Sequence, residues 1–438
     1  KIADSASDSL KIYNNTISNC ASTGIVLGTS LNQDLKGNNF TDNTAIFSLP
    51  STQSGLLSYD INESNYNNNR PIYYLKNEVN SIHNSDFGYF SCINCTNTTL
   101  RDSVIQKGGS VLFFNSTNCS LINTSSESSP GVSLRYSNNP LIQDINFNCS
   151  STCLTLDDTV NSVIFNNIFS GGTTGISTDA NSENPNITNN QILNCSIGIN
   201  LYPVGIINNN TLQGGNGNGH GISIQTSNIT VTNNNISNFL GVLGTLELGN
   251  NGGGIFVKAG ATNITLSGNY LKNNTMGIYA FSSTSASNNI RILNNTILDS
   301  DENGLRLYYG VYNVNVSGNT FINNFNSITM NNYSNKFNDN YFNDYNDVMN
   351  YPSLNRTLTL GQEINFSVLY KYINQSDVNN ISFNNAIITP NESFSYSTNG
   401  NALYLNFTPS RNGLYSVLIN ISDDENNTII NRFYFGND

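Results

Sequence analysis

The sequence predicts an all-β chain: a long solenoid of stacked coils over residues 1–350, then a small β-sandwich over residues 351–438. Three observations predict it. The stretch from Asn263 to Met330 states one phrase three times, as NITLSGNYLKNNTMGIYA, NIRILNNTILDSDENGLRL and NVNVSGNTFINNFNSITM. Within each copy apolar and polar residues alternate in short runs, the pattern of strands with one buried face. Past Asn350 the period is lost, and strand-like runs alternate with turn clusters.

Each copy opens on an alternating pair: Ile264/Leu266, Ile290/Ile292 or Val314/Val316. An Asn turn follows at Asn269, Asn295 and Asn319, then one large apolar residue, Leu271, Ile297 or Phe321. Each closes on a second pair: Ile278/Ala280, Leu305/Leu307 or Ile328/Met330. One such coil cannot bury its own apolar face, so coils must stack. The closing pair can be followed backward through Ile255/Val257, Ile222/Ile224, Ile199/Leu201, Ile176/Thr178, Leu154/Leu156, Val132/Leu134, Val111/Phe113, Tyr89/Ser91, Ile72/Tyr74 and Ile46/Ser48 to Gly24-Ile25-Val26-Leu27. Steps of a little over twenty residues give about fourteen coils.

Asn at the turns has a physical reason, since Asn and Gly tolerate positive φ. Stacking also places turn asparagines above one another, where their amides can bond in a ladder. Asn15, Asn39, Asn167, Asn190, Asn210, Asn235, Asn269, Asn295 and Asn319 are the expected ladder residues. Two steps of the repeat are long, Gly221 to Gly254 and Gly277 to Gly304. The extra segment beginning at Ser237 is expected to form a loop on one face.

These coils resemble the right-handed parallel β-helix of the pectate-lyase-like superfold. Within it they are most similar to the NosD-like repeats of Asn-rich adhesin-like and surface-layer proteins of methanogenic archaea. The resemblance covers Ile12 to about Asn350 and implies the fold strongly and the function weakly. After Tyr351, Gly413-Leu414-Tyr415-Ser416-Val417 followed by Asp423-Asp424-Glu425 resembles late strands of immunoglobulin-like domains of surface proteins. The expected architecture is therefore a right-handed parallel β-helix followed by an immunoglobulin-like β-sandwich. The acidic triplet reads first as a solvated hairpin turn, with Ca²⁺ binding as its alternative, and otherwise no cofactor is expected.

Composition narrows the partners. Only 11% of the 438 residues are charged and the net charge is -12, which disfavours nucleic acids and anionic membranes. No apolar run is long enough to span a membrane. Sequons point to export. Asn-x-Ser/Thr stands at Asn14, Asn39, Asn62, Asn94, Asn97, Asn115, Asn118, Asn123, Asn148, Asn186, Asn194, Asn209, Asn228 and Asn235. It recurs at Asn263, Asn273, Asn294, Asn315, Asn332, Asn355, Asn365, Asn374, Asn380, Asn391, Asn406, Asn420 and Asn426. That density exceeds what the composition produces and predicts a heavily N-glycosylated protein.

The chain has seven cysteines. Cys95 and Cys119 lie about one coil apart and are expected to pair, with Cys92 as the alternative partner of Cys119. Cys149 and Cys153 flank one bend and are expected to pair with each other. Cys20 and Cys195 are too many coils apart to meet. An odd count leaves at least one thiol over.

Gly219-His220-Gly221 resembles the Gly-His-Gly signature of polygalacturonase-type glycoside hydrolases. The partners that resemblance needs are misplaced. Asp157-Asp158 comes nearly three coils before His220, and Arg291-Ile292-Leu293 lacks the expected Lys. Three rungs separate groups by about 14 Å, beyond the roughly 6.5–9.5 Å of an inverting pair of carboxylates. His220 is accordingly expected to be a turn residue. A lyase would need acidic ligands on adjacent coils beside an Arg or Lys, and the sequence displays no such cluster. The expectation is a non-enzymatic, extracellular surface protein that polymerises head to tail into a layer, sheath or filament. Its first coil, with Cys20, would meet the C-terminal region of the next subunit. The alternatives are a carbohydrate-binding adhesin and, behind it, a polysaccharide-degrading enzyme.

Overall fold

The computed structural model describes residues 2–3, 9–28, 31–50, 52–215, 219–241, 252–281, 287–308, 310–330, 336–338, 341–343, 347–349, 364–369, 382–389, 392–399, 402–408, 410, 415–422 and 428–435. The chain forms two compact units, Lys1–Gly217 and Asn218–Asp438. Both are built mainly from parallel β-solenoid, with about thirteen turns between them.

In the first unit the solenoid has three sheets. Sheet A holds the long strands Arg70–Lys76, Tyr89–Ile93, Val111–Phe114, Val132–Arg135, Thr152–Asp157, Thr174–Thr178 and Ile197–Leu201. Sheet B runs from Ile82–His83 through Thr99–Arg101 and Leu141–Gln143 to Gly205–Asn208. Sheet C runs from Val104–Ile105 through Asn146–Cys149 to Thr211–Gly214. Within each sheet the strand of one coil pairs in parallel with that of the next, as Val132–Arg135 does with Val111–Phe114 and with Thr152–Asp157. Inward residues of all three sheets, such as Leu134, Leu121 and Phe147, are almost wholly buried.

The first coils depart from the expected continuous column. Residues Lys11–Tyr13, Thr16–Ser18 and Thr23–Val26 begin a small solenoid of their own, a module closed by Tyr66–Asn67. The chain then reverses. Asn68 and Asn69 have φ of 48° and 64°, and Arg70 pairs antiparallel with Asn67. Two consecutive left-handed residues make the tight hairpin turn whose twist suits the flanking strands. Ile72/Tyr74 therefore starts a new stack and does not continue the stack of Ile46/Ser48. The module's core, with Phe40, Ile46 and Tyr59, packs against Tyr74, Tyr89, Ile93, Leu112 and Phe114 of sheet A. Its helix, Gln53–Ser58, is fixed there as Tyr74 donates to the Leu56 carbonyl at 2.7 Å and Lys76 to those of Leu57 and Tyr59.

The second unit repeats the same three-sheet coil, with Gly253–Val257, Thr262–Ser267 and Tyr270–Lys272 as one turn of it. A column of glycines, Gly221, Gly254, Gly277 and Gly304, opens its long strands. A Cβ at Gly254 would stand 2.4 Å from Leu271 Cδ2 and 2.7 Å from the Gly277 carbonyl, so only glycine fits this corner. That is the physical content of the repeated Gly-apolar-x-apolar phrase. Further on, Ile364–Leu369, Phe394–Asn399 and Ala402–Phe407 form one antiparallel sheet, and Ser382–Thr389, Tyr415–Ser422 and Thr428–Phe435 form another. Asp347–Met349 pairs with Thr428–Phe435 in parallel.

The asparagine ladders are present, with two corrections. Asn15, Asn167, Asn190, Asn210, Asn269, Asn295 and Asn319 do stack, each bonded to an asparagine of a neighbouring coil. In place of Asn39 and Asn235, the ladder uses Asn38 and Asn234. Asn39 and Asn235 are the first residues of the following strands, one position too late to turn inward. The left-handed residue is also not the ladder residue. It is the one before it, as at Asn14, Asn166, Asn189, Asn209 and Asn233.

The expected loop after Ser237 and the acidic triplet Asp423-Asp424-Glu425 lie largely or wholly outside the described residues. Among the described residues no helix is long and apolar enough to cross a membrane.

Candidate functional site

The outward side chains of sheet A form columns, one residue per coil. One column reads Tyr74, Ser91, Leu112, Ser133, Thr155, Ser177, Asn200. The next reads Ile93, Phe114, Arg135, Asp157. Both change character at the same rung. Tyr74, Ser91, Leu112, Ile93 and Phe114 are buried although they face away from the solenoid interior, because the N-terminal module lies on them. Ser133, Thr155, Ser177, Asn200, Arg135 and Asp157 are partly exposed.

A cleft of about 380 Å³ opens at this step. One wall is the module, with Thr23, Phe47, Ser48 and Leu49. The floor is sheet A and the corner before it, with Tyr89, Leu112, Ser133, Arg135, Thr152 and Thr155. Phe47 and Tyr89 meet edge to face at 5.2 Å. Burial holds the Tyr89 hydroxyl well above the ordinary tyrosine range. Among the described residues Arg135 is the only charged one in the lining; its guanidinium donates to Ser133 Oγ at 3.1 Å and lies 3.9 Å from Asp157.

Beside the cleft, Asp157, Asp158 and Asp179 bring one oxygen each within 4.8 Å of one another. Burial, then the neighbouring Asp179, pushes the Asp157 carboxyl above its ordinary value. For Asp179 burial acts upward too, but the Ser182 hydroxyl and the backbone amides of Asp158, Asn181 and Ser182 outweigh it and hold the group low. Three carboxylates of this kind suit a hard divalent cation. Asp157-Asp158 stands three coils from His220, and its neighbour in space is Asp179. Asp179 follows Asp157 by 22 residues, one coil, and that spacing was the available signal.

His220 is a strand residue, not a turn residue. It begins His220–Ile224, is 4% exposed, and stacks on Phe256 with ring centroids 4.6 Å apart.

Of the two expected disulfides one is present: Cys149 is bonded to Cys153, while Cys92 is bonded to Cys95. The Cys95–Cys119 pair is not formed. The coil here repeats every 21 residues, so Asn94 stacks under Asn115 and Cys95 under Ser116, whose hydroxyl accepts from the Cys95 amide at 3.1 Å. Cys119, three positions further along, is buried and carries no disulfide, and burial raises its thiol pKa.

The predicted glycan acceptors fall in distinct places. Asn14, Asn94, Asn97, Asn115, Asn118, Asn123, Asn194, Asn209, Asn228, Asn263, Asn273 and Asn294 have left-handed backbones, Asn194 and Asn263 of them within strands. Asn39, Asn148, Asn186, Asn235, Asn315, Asn365, Asn406 and Asn420 lie in strands, and Asn62 lies between two. Asn332, Asn355, Asn374, Asn380, Asn391 and Asn426 lie outside the described residues. Several turn acceptors already bond along the stack: Asn115 donates to Asn94 and Asn118 to Asn97, both at 3.1 Å.

Parallel pairing over successive coils, with a polar outer face on its long strands, defines a β-helix. The family described as right handed beta helix region matches residues 88–236 and again 198–355, more than half of the chain. The chain belongs to that family. No curated protein matches the sequence. Among solved structures, it is similar to an exopolygalacturonase from Thermotoga maritima, at 11% identity over 75% of this chain and 84% of that one, with a TM-score of 0.38. A PL6 alginate lyase in complex with a trisaccharide is 14% identical over 72% of this chain and 80% of that one, with a TM-score of 0.42. The tailspike of Escherichia coli bacteriophage HK620, in complex with a hexasaccharide, is 13% identical over 98% of this chain and 85% of that one, with a TM-score of 0.41. At these identities the likeness extends to the fold alone.

The expectation that the chain is not an enzyme does not stand. Its physical premise fails, because carboxylates on adjacent coils beside an arginine are present at Asp157, Asp158, Asp179 and Arg135.

Proposed function

We propose that this chain is a carbohydrate-binding β-helix protein whose ligand lies in the cleft between the N-terminal module and the outer face of sheet A. The observation that carries the reading is the abrupt change in the outward columns at the cleft, where buried Leu112 and Phe114 give way to partly exposed Ser133 and Arg135. Hydroxyls and a planar guanidinium suit a polyol ligand, and the apolar wall of Phe47 and Leu49 suits the CH face of a sugar ring. The test is a glycan array followed by calorimetric titration of any hit. Binding that survives Arg135→Ala and Thr155→Trp unchanged overturns the reading.

A second reading, cleavage of the bound glycan, is favoured by Asp157 with its raised pKa beside Asp158, Asp179 and Arg135. A carboxyl whose pKa is raised by burial and by a neighbouring carboxylate is suited to the role of general acid. Release of reducing ends or of unsaturated sugars that Asp157→Asn abolishes supports it; no product from any bound glycan rules it out.

The sequon density and the two disulfides support an exported location at the cell surface with N-linked glycans. An immunoglobulin-like identity for the sheets after Ile364, and a domain boundary near Asn350, are proposals of the same kind. So is head-to-tail assembly. Its suggested lock is weakened, because Cys20 is half-buried against the module core. Sedimentation of the purified chain that shows only monomer sinks the assembly proposal.

A further inference from the structure

We infer that the cleft receives the end of a glycan chain and not its interior. The inference rests on the carbohydrate-binding reading above. A ligand lying along the outward columns of sheet A has beneath it the hydroxyls of Ser133, Thr155 and Ser177 and then the amide of Asn200. In the other direction the path stops. Leu112 is 6% exposed and Ser91 0%, because the module is seated on them. The obstruction is firmly held. The Ile46 amide donates to the Gly108 carbonyl at 3.1 Å, and Asn67, itself fully buried, donates to the carbonyls of Gly88 and Lys107. The helix carbonyls are tied to Tyr74 and Lys76. The outward column is therefore covered at the module end, past Phe47 and Tyr89, and partly exposed from Ser133 to Asn200. A polymer cannot run past that covered end, so only a terminal segment reaches Arg135.

Calorimetric titration of the full chain with homogalacturonan, alginate and xylan, each cut to several mean lengths, tests this. An end-binding site sees one target per polymer molecule. Halving the mean length should therefore double the sites per gram at unchanged affinity per site. Sites per gram that stay constant across lengths overturn the inference and leave the binding reading in place. If no polymer or oligosaccharide of any tested class binds, the binding reading and this inference fall together. Ser133→Trp fills the first open position of the column and should abolish binding, whereas Thr188→Trp, on the outer face of sheet B, should not. Retained end-binding by Ser133→Trp, with normal folding by circular dichroism, also overturns it.

Discussion

Replacing Asn269 by alanine should be among the most damaging single changes in the second unit. The residue is 1% exposed. Its Nδ2 donates to the Val231 carbonyl at 3.0 Å and to Asn295 Oδ1 at 2.9 Å. Its Oδ1 accepts from the Asn234 amide and from Asn234 Nδ2, both at 3.0 Å. Alanine removes all four bonds and restores none, because each partner lies inside the stack. A buried group that loses its partner costs about 1–3 kcal/mol, so a total near 4 kcal/mol is expected after partial relaxation. Asn263 is the control. It is exposed, left-handed, and bonded to Asn228 Oδ1 at 3.0 Å. Asn263→Gly keeps the backbone conformation and should cost about 1 kcal/mol or less. Urea unfolding gives the totals. Hydrogen exchange should place the loss in residues 228–300, since solenoid coils depend on their neighbours. A loss below about 1 kcal/mol for Asn269→Ala would refute the view that the internal ladder holds the coils.

Other outcomes follow from the same geometry. Gly254→Ala should cost about 1–3 kcal/mol by overpacking, read from the unfolding midpoint. Peptide mapping of native protein should recover the Cys92–Cys95 and Cys149–Cys153 bridges and an unbridged Cys119; a Cys95–Cys119 peptide would contradict the 21-residue register. Asp157 has a raised pKa in the fold, so its contribution to stability is present below the ordinary value of 3.8 and is lost as pH rises through the folded value. Asp157→Asn should therefore raise the unfolding midpoint at neutral pH and leave it unchanged in acid.

Much of the fold was legible because it is written in alternation and period. Inward residues such as Ile290, Ile292 and Leu305 announce their burial by spacing alone, and Gly254 announces its corner by recurrence. Ladder asparagines were legible only to within one position. Consecutive asparagines such as Asn38-Asn39 and Asn234-Asn235 read alike, and only backbone geometry decides which one turns inward. The reversal at Asn68-Asn69 was hidden because the module's coils have nearly the same period as those they pack against. The cleft was hidden for the same reason. Its walls come from two stacks that the repeat alone reads as one. What did signal it was the outer column, where Leu112 gives way to Ser133 and Phe114 to Arg135, a change unrelated to the inward pattern. The acidic cluster was missed because Asp157-Asp158 was compared with a distant histidine and not with Asp179 on the next coil.

The most direct test is hydrogen exchange of the full chain with and without a glycan identified on the array. The structure predicts added protection in the peptides that hold Ser133, Arg135 and Thr155, with the outer strands of sheet B, such as Leu141–Gln143 and Val163–Phe165, unchanged. Protection confined to sheet B, or to residues beyond Asn218, would contradict a binding site at the cleft.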